Sequence, residues 1–166
     1  MSQGDGEAFE QLVAIYHVRV FHLVRGILGD WHRSEDVCQE VFTTVFRKAS
    51  NFRGQSQFST WLYRVAVNAA LKARRGRTRE EYPVDQVEVM ATSPSAPRFE
   101  AQEVVDRLLR PLPESLRTAV LLRETADLSY KEIANVLGCT VGAVEQRLHR
   151  AMTRLRELWK DDLEAN

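Results

Sequence analysis

Cysteine is scarce in this 166-residue chain, with only Cys38 and Cys139, far apart and in no CxxC spacing. That excludes a disulfide framework and leaves no zinc motif. Free thiols fit a reducing cytoplasm, the expected location. Four histidines are present, and His17 and His22 stand five apart, off a shared helical face. No metal and no cofactor are expected. Long apolar runs are missing too, and nothing approaches the roughly 18 residues of a membrane span. The polar, acidic start, Met1 to Asp5, lacks the basic residues and apolar core of a secretory signal. No membrane insertion is therefore expected. Neighbouring carboxylates such as Glu80 with Glu81 and Asp161 with Asp162 fall in a linker and a tail, so no catalytic constellation supports an enzyme. Net charge is also absent: 23 basic residues balance 23 acidic ones. At first sight that speaks against a nucleic-acid partner, which usually meets a basic excess.

The balance is made of opposed blocks. Residues 1–46 carry −4, 47–82 carry +7, 83–106 carry −4, 107–140 carry +1 and 141–166 carry 0. Even the last block is split, with Arg147, Arg150, Arg154, Arg156 and Lys160 ahead of Asp161, Asp162 and Glu164. Charge polarised in this way concerns partners and association, not fold.

What is present is helical periodicity almost throughout, so the fold class expected is all-α. Phe9, Leu12, Val13, Tyr16, Val20, Leu23, Val24 and Ile27 form one apolar stripe on a helix over 7–28. Gly29 and Asp30 end it. Ser34 is the expected N-cap of the next helix, 34–50, with Glu35 and Asp36 suited to the positive end of its dipole. Val37, Val41, Val45 and Phe42 form its core stripe. Ser56 is expected to open a long helix to about residue 75. Three of the five prolines, Pro83, Pro94 and Pro97, then fall within 79–101, where no stripe persists. That stretch reads as a flexible linker with a reach of at most roughly 75–80 Å. Two small helical modules, 1–78 and 102–166, are thus expected on a tether.

The second module ends in a helix-turn-helix. Pro113 suits the first turn of a helix to about Thr125. Ser129 and Glu132 have capping-box spacing, Gly138 sits at the turn, Ala134 is small where helices must approach, and Thr140 caps the last helix. That helix carries one stripe, Val141, Val144, Leu148, Ala151, Leu155 and Leu158, opposite a face of Glu145, Gln146, His149, Arg150 and Thr153. Such a helix can read base edges in a major groove. A short helical hairpin with a solvated charged face is the plain alternative.

The basic helix has two faces as well. Phe58, Leu62, Val65, Ala66, Ala69 and Ala73 face the core. Trp61, Arg64, Asn68, Lys72 and Arg75 cluster elsewhere, with Arg74, Arg77 and Arg79 extending a basic tail. Stacking plus phosphate neutralisation is how single strands are held. Alternatively, Trp61 is half-buried at a helix junction and the tail is merely solvated. On helix 34–50, Asp36, Gln39, Glu40, Thr43 and Arg47 project together, as a plain surface or as a protein-docking face of mixed polarity. Cys38 reads as a packed small side chain.

Two separated stretches carry a family resemblance. SEDVCQEVF at 34–42 and FRGQSQFSTWLYRVAVN at 52–68 resemble domain 2 of the extracytoplasmic-function sigma factors. LPESLR at 112–117, LSYKEIA at 128–134 and VGAVEQRLHRA at 141–151 resemble domain 4. The resemblance implies an initiation factor that binds core RNA polymerase and directs it to promoter DNA. It places polymerase docking on Asp36, Gln39, Glu40, Thr43 and Arg47. It places reading of the melted −10 strand, with one base flipped out, on Arg53, Gly54, Gln55, Ser56, Trp61, Arg64, Asn68, Lys72 and Arg75. It places reading of the −35 duplex on Gly142, Ala143, Glu145, Gln146, Arg147, His149 and Arg150. It also implies an anti-sigma partner, no long N-terminal inhibitory region and no intervening domain. Where the family often has Gly-Thr-Val, a basic residue and a small one, this chain has Gly142 to Gln146. Glu145 can accept from cytosine N4 and Gln146 can pair with adenine, so an altered −35 preference is expected. The rival reading is a stand-alone helix-turn-helix regulator with a sensing N-terminal half.

Overall fold

In the computed structural model, residues 3–49, 52, 54–79 and 104–164 are described. Their regular structure is seven α-helices. These are α1 (Gln3–Leu28), α2 (Trp31–Lys48), α3 (Phe58–Arg79), α4 (104–109), α5 (Glu114–Glu124), α6 (Tyr130–Leu137) and α7 (Val141–Glu164). Residues 80–103, nearly all of the expected linker, and Arg53 lie outside the described residues.

The stripes read from the sequence form the core. Val20, Leu23, Val24 and Ile27 of α1 are buried against Val37, Val41, Phe42 and Val45 of α2 and Leu62 and Ala66 of α3. Cys38 is buried among them, and burial pushes its thiol up to about 12. At neutral pH it is therefore protonated and a poor nucleophile. A thiol reagent is expected to label half-exposed Cys139 in the native chain and leave Cys38 unmodified. Mass spectrometry of the labelled peptides checks this, and equal labelling would contradict the packing.

Three boundaries differ from expectation. Helix α2 starts at Trp31, with Asp30 as its N-cap, the Asp30 carboxylate accepting from the Arg33 amide at 2.9 Å. Ser34 is inside the helix and buried, its hydroxyl turned back to the Asp30 carbonyl. The earlier start lets Trp31 pack edge-on against Phe21, with ring centroids 4.7 Å apart. Helix α3 begins at Phe58, two residues after Ser56, and runs on to Arg79, the first residue assigned to the linker. Pro113 is the N-cap of α5 and lies just outside its first turn.

The C-terminal elements follow their local chemistry closely. Ser129 and Glu132 form the full capping box, and Gly138 ends α6 at φ 63° and ψ 40°. That left-handed conformation is inexpensive only for glycine. The Thr140 hydroxyl accepts from the Ala143 amide at 3.1 Å, capping α7. Within the helix pair, Ile133, Ala134 and Val144 are buried, with Ala151 buried further along α7. Val141, the first residue of α7, departs from its expected stripe and is 40% exposed.

The capping box also sets a pH dependence. The Glu132 carboxylate accepts from both the hydroxyl and the amide of Ser129, at 2.6 and 2.8 Å, which holds its pKa below the usual carboxylate range. A carboxylate depressed in the fold stabilises it fully above the unfolded pKa and loses that contribution as pH falls through the folded one. Ser129→Ala is expected to cost about 0.5–2 kcal/mol at pH 7, with the difference from wild type shrinking in acid. Urea melts at pH 7 and pH 3 check this.

The two groups of helices are packed on each other. Helix α1 lies against α5, and α3 lies against α6. Leu109, Leu112, Leu121 and Leu122 belong to the same continuous core as α1 and α3. Tyr63, Val67 and Ala70 are buried in that core although they lie to one side of the core face expected for α3.

Candidate nucleic-acid interface

Three exposed surfaces carry the residues singled out in the sequence. On α2, Asp36, Gln39, Glu40, Thr43 and Arg47 are all exposed and project from one side. The Thr43 hydroxyl donates to the Gln39 carbonyl at 2.7 Å, holding that side chain along the helix. Beside this row runs a shallow groove of about 610 Å³ lined by Phe9, Val13, His17, Phe42 and Phe46. The mixed polar ridge thus borders an apolar trough, which residue spacing on α2 alone did not reveal.

On α3, Arg64, Asn68, Lys72 and Arg75 are exposed and Trp61 is half-buried. Trp61 is therefore a wall and not a free-standing ring. It packs on Phe52 and Phe58 with centroid distances of 5.4 and 5.6 Å, and Phe52 meets Phe58 edge-on at 5.8 Å. Tyr16 of α1 backs the cluster at 6.0 Å from Phe58. The loop residues Gly54 and Gln55 are exposed and Ser56 is half-buried beside this aromatic trio. Phe52 and Phe58 are functional candidates that sequence reasoning missed. Phe58 was assigned to the core and Phe52 to the loop, and only the fold shows them flanking one indole. A ring cluster with cations along the same helix is suited to hold an unstacked base and its backbone.

The basic tail of α3 behaves differently from expectation. Arg74 turns inward, donating to the Ile27 carbonyl at 3.0 Å and pairing with Glu114 at 3.4 Å, so it is not a phosphate-binding side chain here. Arg64 donates to the Asn135 carbonyl of α6 at 2.6 Å. The side chains of Arg77 and Arg79 lie outside the described residues.

On α7, Gly142, Glu145, Gln146, His149 and Arg150 are exposed, while Ala143 and Arg147 are half-buried. His149 and Arg150 line a groove of about 500 Å³ that runs to Pro113 and Leu116 at the start of α5. Further along, Arg154 pairs with Glu157 at 3.5 Å on the surface. The first two turns of α7 thus present polar side chains outward, with Val144 anchoring them from beneath.

Residues 12–80 match the model of Sigma-70 region 2, and residues 102–155 match that of Sigma-70, region 4. The RNA polymerase sigma-H factor of Pseudomonas aeruginosa is 38% identical over 165 residues, covering 91% of this chain and 86% of that one. The chain belongs to the extracytoplasmic-function sigma factors. The ECF RNA polymerase sigma-E factor of Escherichia coli K12 is likewise 38% identical over 167 residues, at the same coverage. Among solved structures, CnrH in complex with the cytosolic domain of CnrY matches with a TM-score of 0.75 and 28% identity over 95% of this chain and 90% of that one. The sigma factor RpoE in complex with the anti-sigma factor NepR from Bartonella quintana has a TM-score of 0.72 at 23% identity, over 93% of this chain and 98% of that one, a likeness of fold. As a sigma factor, the chain directs transcription initiation with core RNA polymerase at promoter DNA. Among the described residues, no helix is long and apolar enough to cross a membrane.

Proposed function

We propose that this sigma factor divides its work among the three surfaces. Its N-terminal module docks on core polymerase through Asp36, Gln39, Glu40, Thr43 and Arg47. The same module captures the melted −10 strand with Arg53, Gly54, Gln55, Ser56, Trp61, Arg64, Asn68, Lys72 and Arg75. The C-terminal module reads the −35 duplex with Gly142, Ala143, Glu145, Gln146, Arg147, His149 and Arg150. The linker 79–101 joins modules 1–78 and 102–166, so that two weak contacts act through effective concentration. The protein acts in the cytoplasm, without catalysis of its own and without a cofactor. An anti-sigma factor restrains it, as NepR partners the related fold.

The observation that carries this reading is the Phe52, Phe58 and Trp61 cluster, placed beside loop 54–56 and in line with the cations of α3. A flipped base needs a face to stack on and a cation for its phosphate, and both are offered there. On the −35 side, Arg150→Ala is expected to cost about 1–3 kcal/mol of holoenzyme affinity at one base position. Competition binding against single-base variants of the −35 element checks it. A uniform loss across all variants would reassign Arg150 to a phosphate.

The test of the whole division compares DNA binding with and without core enzyme. A fork carrying duplex −35 and single-stranded −10 DNA is expected to bind specifically only when polymerase is present. Tight, specific duplex binding by the chain alone would favour the stand-alone regulator.

A further inference from the structure

Helix α7 carries one acid that the fold leaves unused. Glu145 is exposed and is the fifth residue of the helix. It therefore lies past the first turn, where a carboxylate gains from the helix dipole. Its neighbours one turn away are Val141, Gly142, Leu148 and His149, so no lysine or arginine stands at the spacing of a helical ion pair. Among the described residues no cation pairs with Glu145, whereas Glu157 of the same helix pairs with Arg154 at 3.5 Å. An unpaired negative charge thus stands on a surface assigned to a polyanion.

The helix fixes where that charge points. At about 100° per residue, Gly142, Gln146, His149 and Thr153 lie opposite the buried Val144 and Ala151. Glu145 and Arg150 stand on the two flanks of this outward face, about 140° apart. Arg150 lines the groove that runs to Pro113 at the start of α5, and Glu145, on the other flank, does not. At that separation the two side chains serve different base positions.

Major-groove chemistry leaves a carboxylate one good partner. Phosphates line both edges of the groove and repel it. Its oxygens only accept, so on a base edge it is satisfied only by an exocyclic amino group. Guanine offers O6 and N7 and thymine offers O4, all of them acceptors. Adenine offers its N6 amino group, but N7 beside it is an acceptor that faces the second carboxylate oxygen. Cytosine offers N4 with no acceptor beside it in the groove.

We propose that Glu145 is a specificity-determining residue of the −35 reader, whose carboxylate accepts from the N4 amino group of a cytosine. This rests on the −35 assignment under Proposed function and adds the base that one of its residues reads. Guanine or thymine at that position leaves the carboxylate against acceptors and between phosphates. Glu145 therefore selects as much by the sequences it rejects as by the one it accepts.

The test uses the full chain assembled with core polymerase. Its binding to a promoter fork is competed with forks carrying each base at each −35 position. Wild type is expected to favour cytosine over guanine and thymine at least about 5-fold at one position. Glu145→Ala should level that preference and leave the other positions unchanged. Glu145→Gln should move it toward adenine, because a carboxamide both donates and accepts. N4-methylcytosine, with a methyl in place of the groove-facing hydrogen, should weaken wild type and leave Glu145→Ala unaffected. A cytosine preference that survives in Glu145→Ala would overturn the proposal. So would a uniform gain of affinity for all −35 sequences, which would make the carboxylate a plain brake on phosphate contact. Arg150→Ala separates the two levels of failure. If it lowers binding while the Glu145 variants change no preference, only the role of Glu145 falls. If neither residue affects binding to any −35 sequence, the −35 assignment itself fails.

Discussion

Trp61→Ala is expected to cut capture of the melted −10 strand by the holoenzyme about 5- to 150-fold. A base stacked on an aromatic ring is worth about 1–3 kcal/mol by alanine substitution. Here the indole also braces Phe52 and Phe58, so its loss slackens the whole wall. Trp61→Phe keeps a π-face and should retain most of the function. Binding of holoenzyme to fork DNA, with thermal melts of both variants alongside, separates the two effects. An alanine variant that melts like wild type and still opens promoters at the wild-type rate would show that Trp61 is only a packing residue.

The second large effect is expected in the C-terminal module. Ile133→Ala removes a fully buried side chain from the core of the helix-turn-helix. Such truncations cost about 2–5 kcal/mol. The loss is expected to fall first on α6 and α7, at the end of the shared core where this side chain is buried. Protection of the −35 element in footprinting should vanish, while −10 contacts on a pre-melted fork persist. Hydrogen exchange should rise across 130–151 and stay low across 20–45. Uniform exchange throughout the chain would mean that the two modules unfold as one.

The sequence was most legible where local chemistry decides the outcome. The Ser129–Glu132 box, Gly138 and Thr140 act within a few residues, and each was found in its expected role. The stripes of α1 and α2 were equally plain, because both helices bury one face in a single core. Where two local signals compete, spacing could not choose. Asp30 and Ser34 are both good caps, and the choice fell to Trp31 packing on Phe21.

Long-range contacts were the part that could not be read. Tyr63, Val67 and Ala70 lie on a flank of α3 that its own periodicity leaves unassigned. The C-terminal module begins beyond the linker, and the Arg64–Asn135 contact spans 71 residues of sequence. The same holds for Arg74, which spacing placed in a phosphate strip and the fold turns toward Ile27 and Glu114. Charge blocks give the sign of a surface but not its partner, and here part of the +7 block faces the chain's own C-terminal module. The zero net charge is thus compatible with a DNA-binding protein whose cations are partly engaged within the chain.

The most direct measurement is run-off transcription with purified core RNA polymerase on fragments of the host genome. Transcripts are expected to start at defined promoters only when the chain is added, and to fall with Trp61→Ala in line with the weaker −10 capture. If no promoter-dependent transcript appears from any fragment, while the chain alone binds duplex DNA tightly and specifically, the assignment of its three surfaces is contradicted.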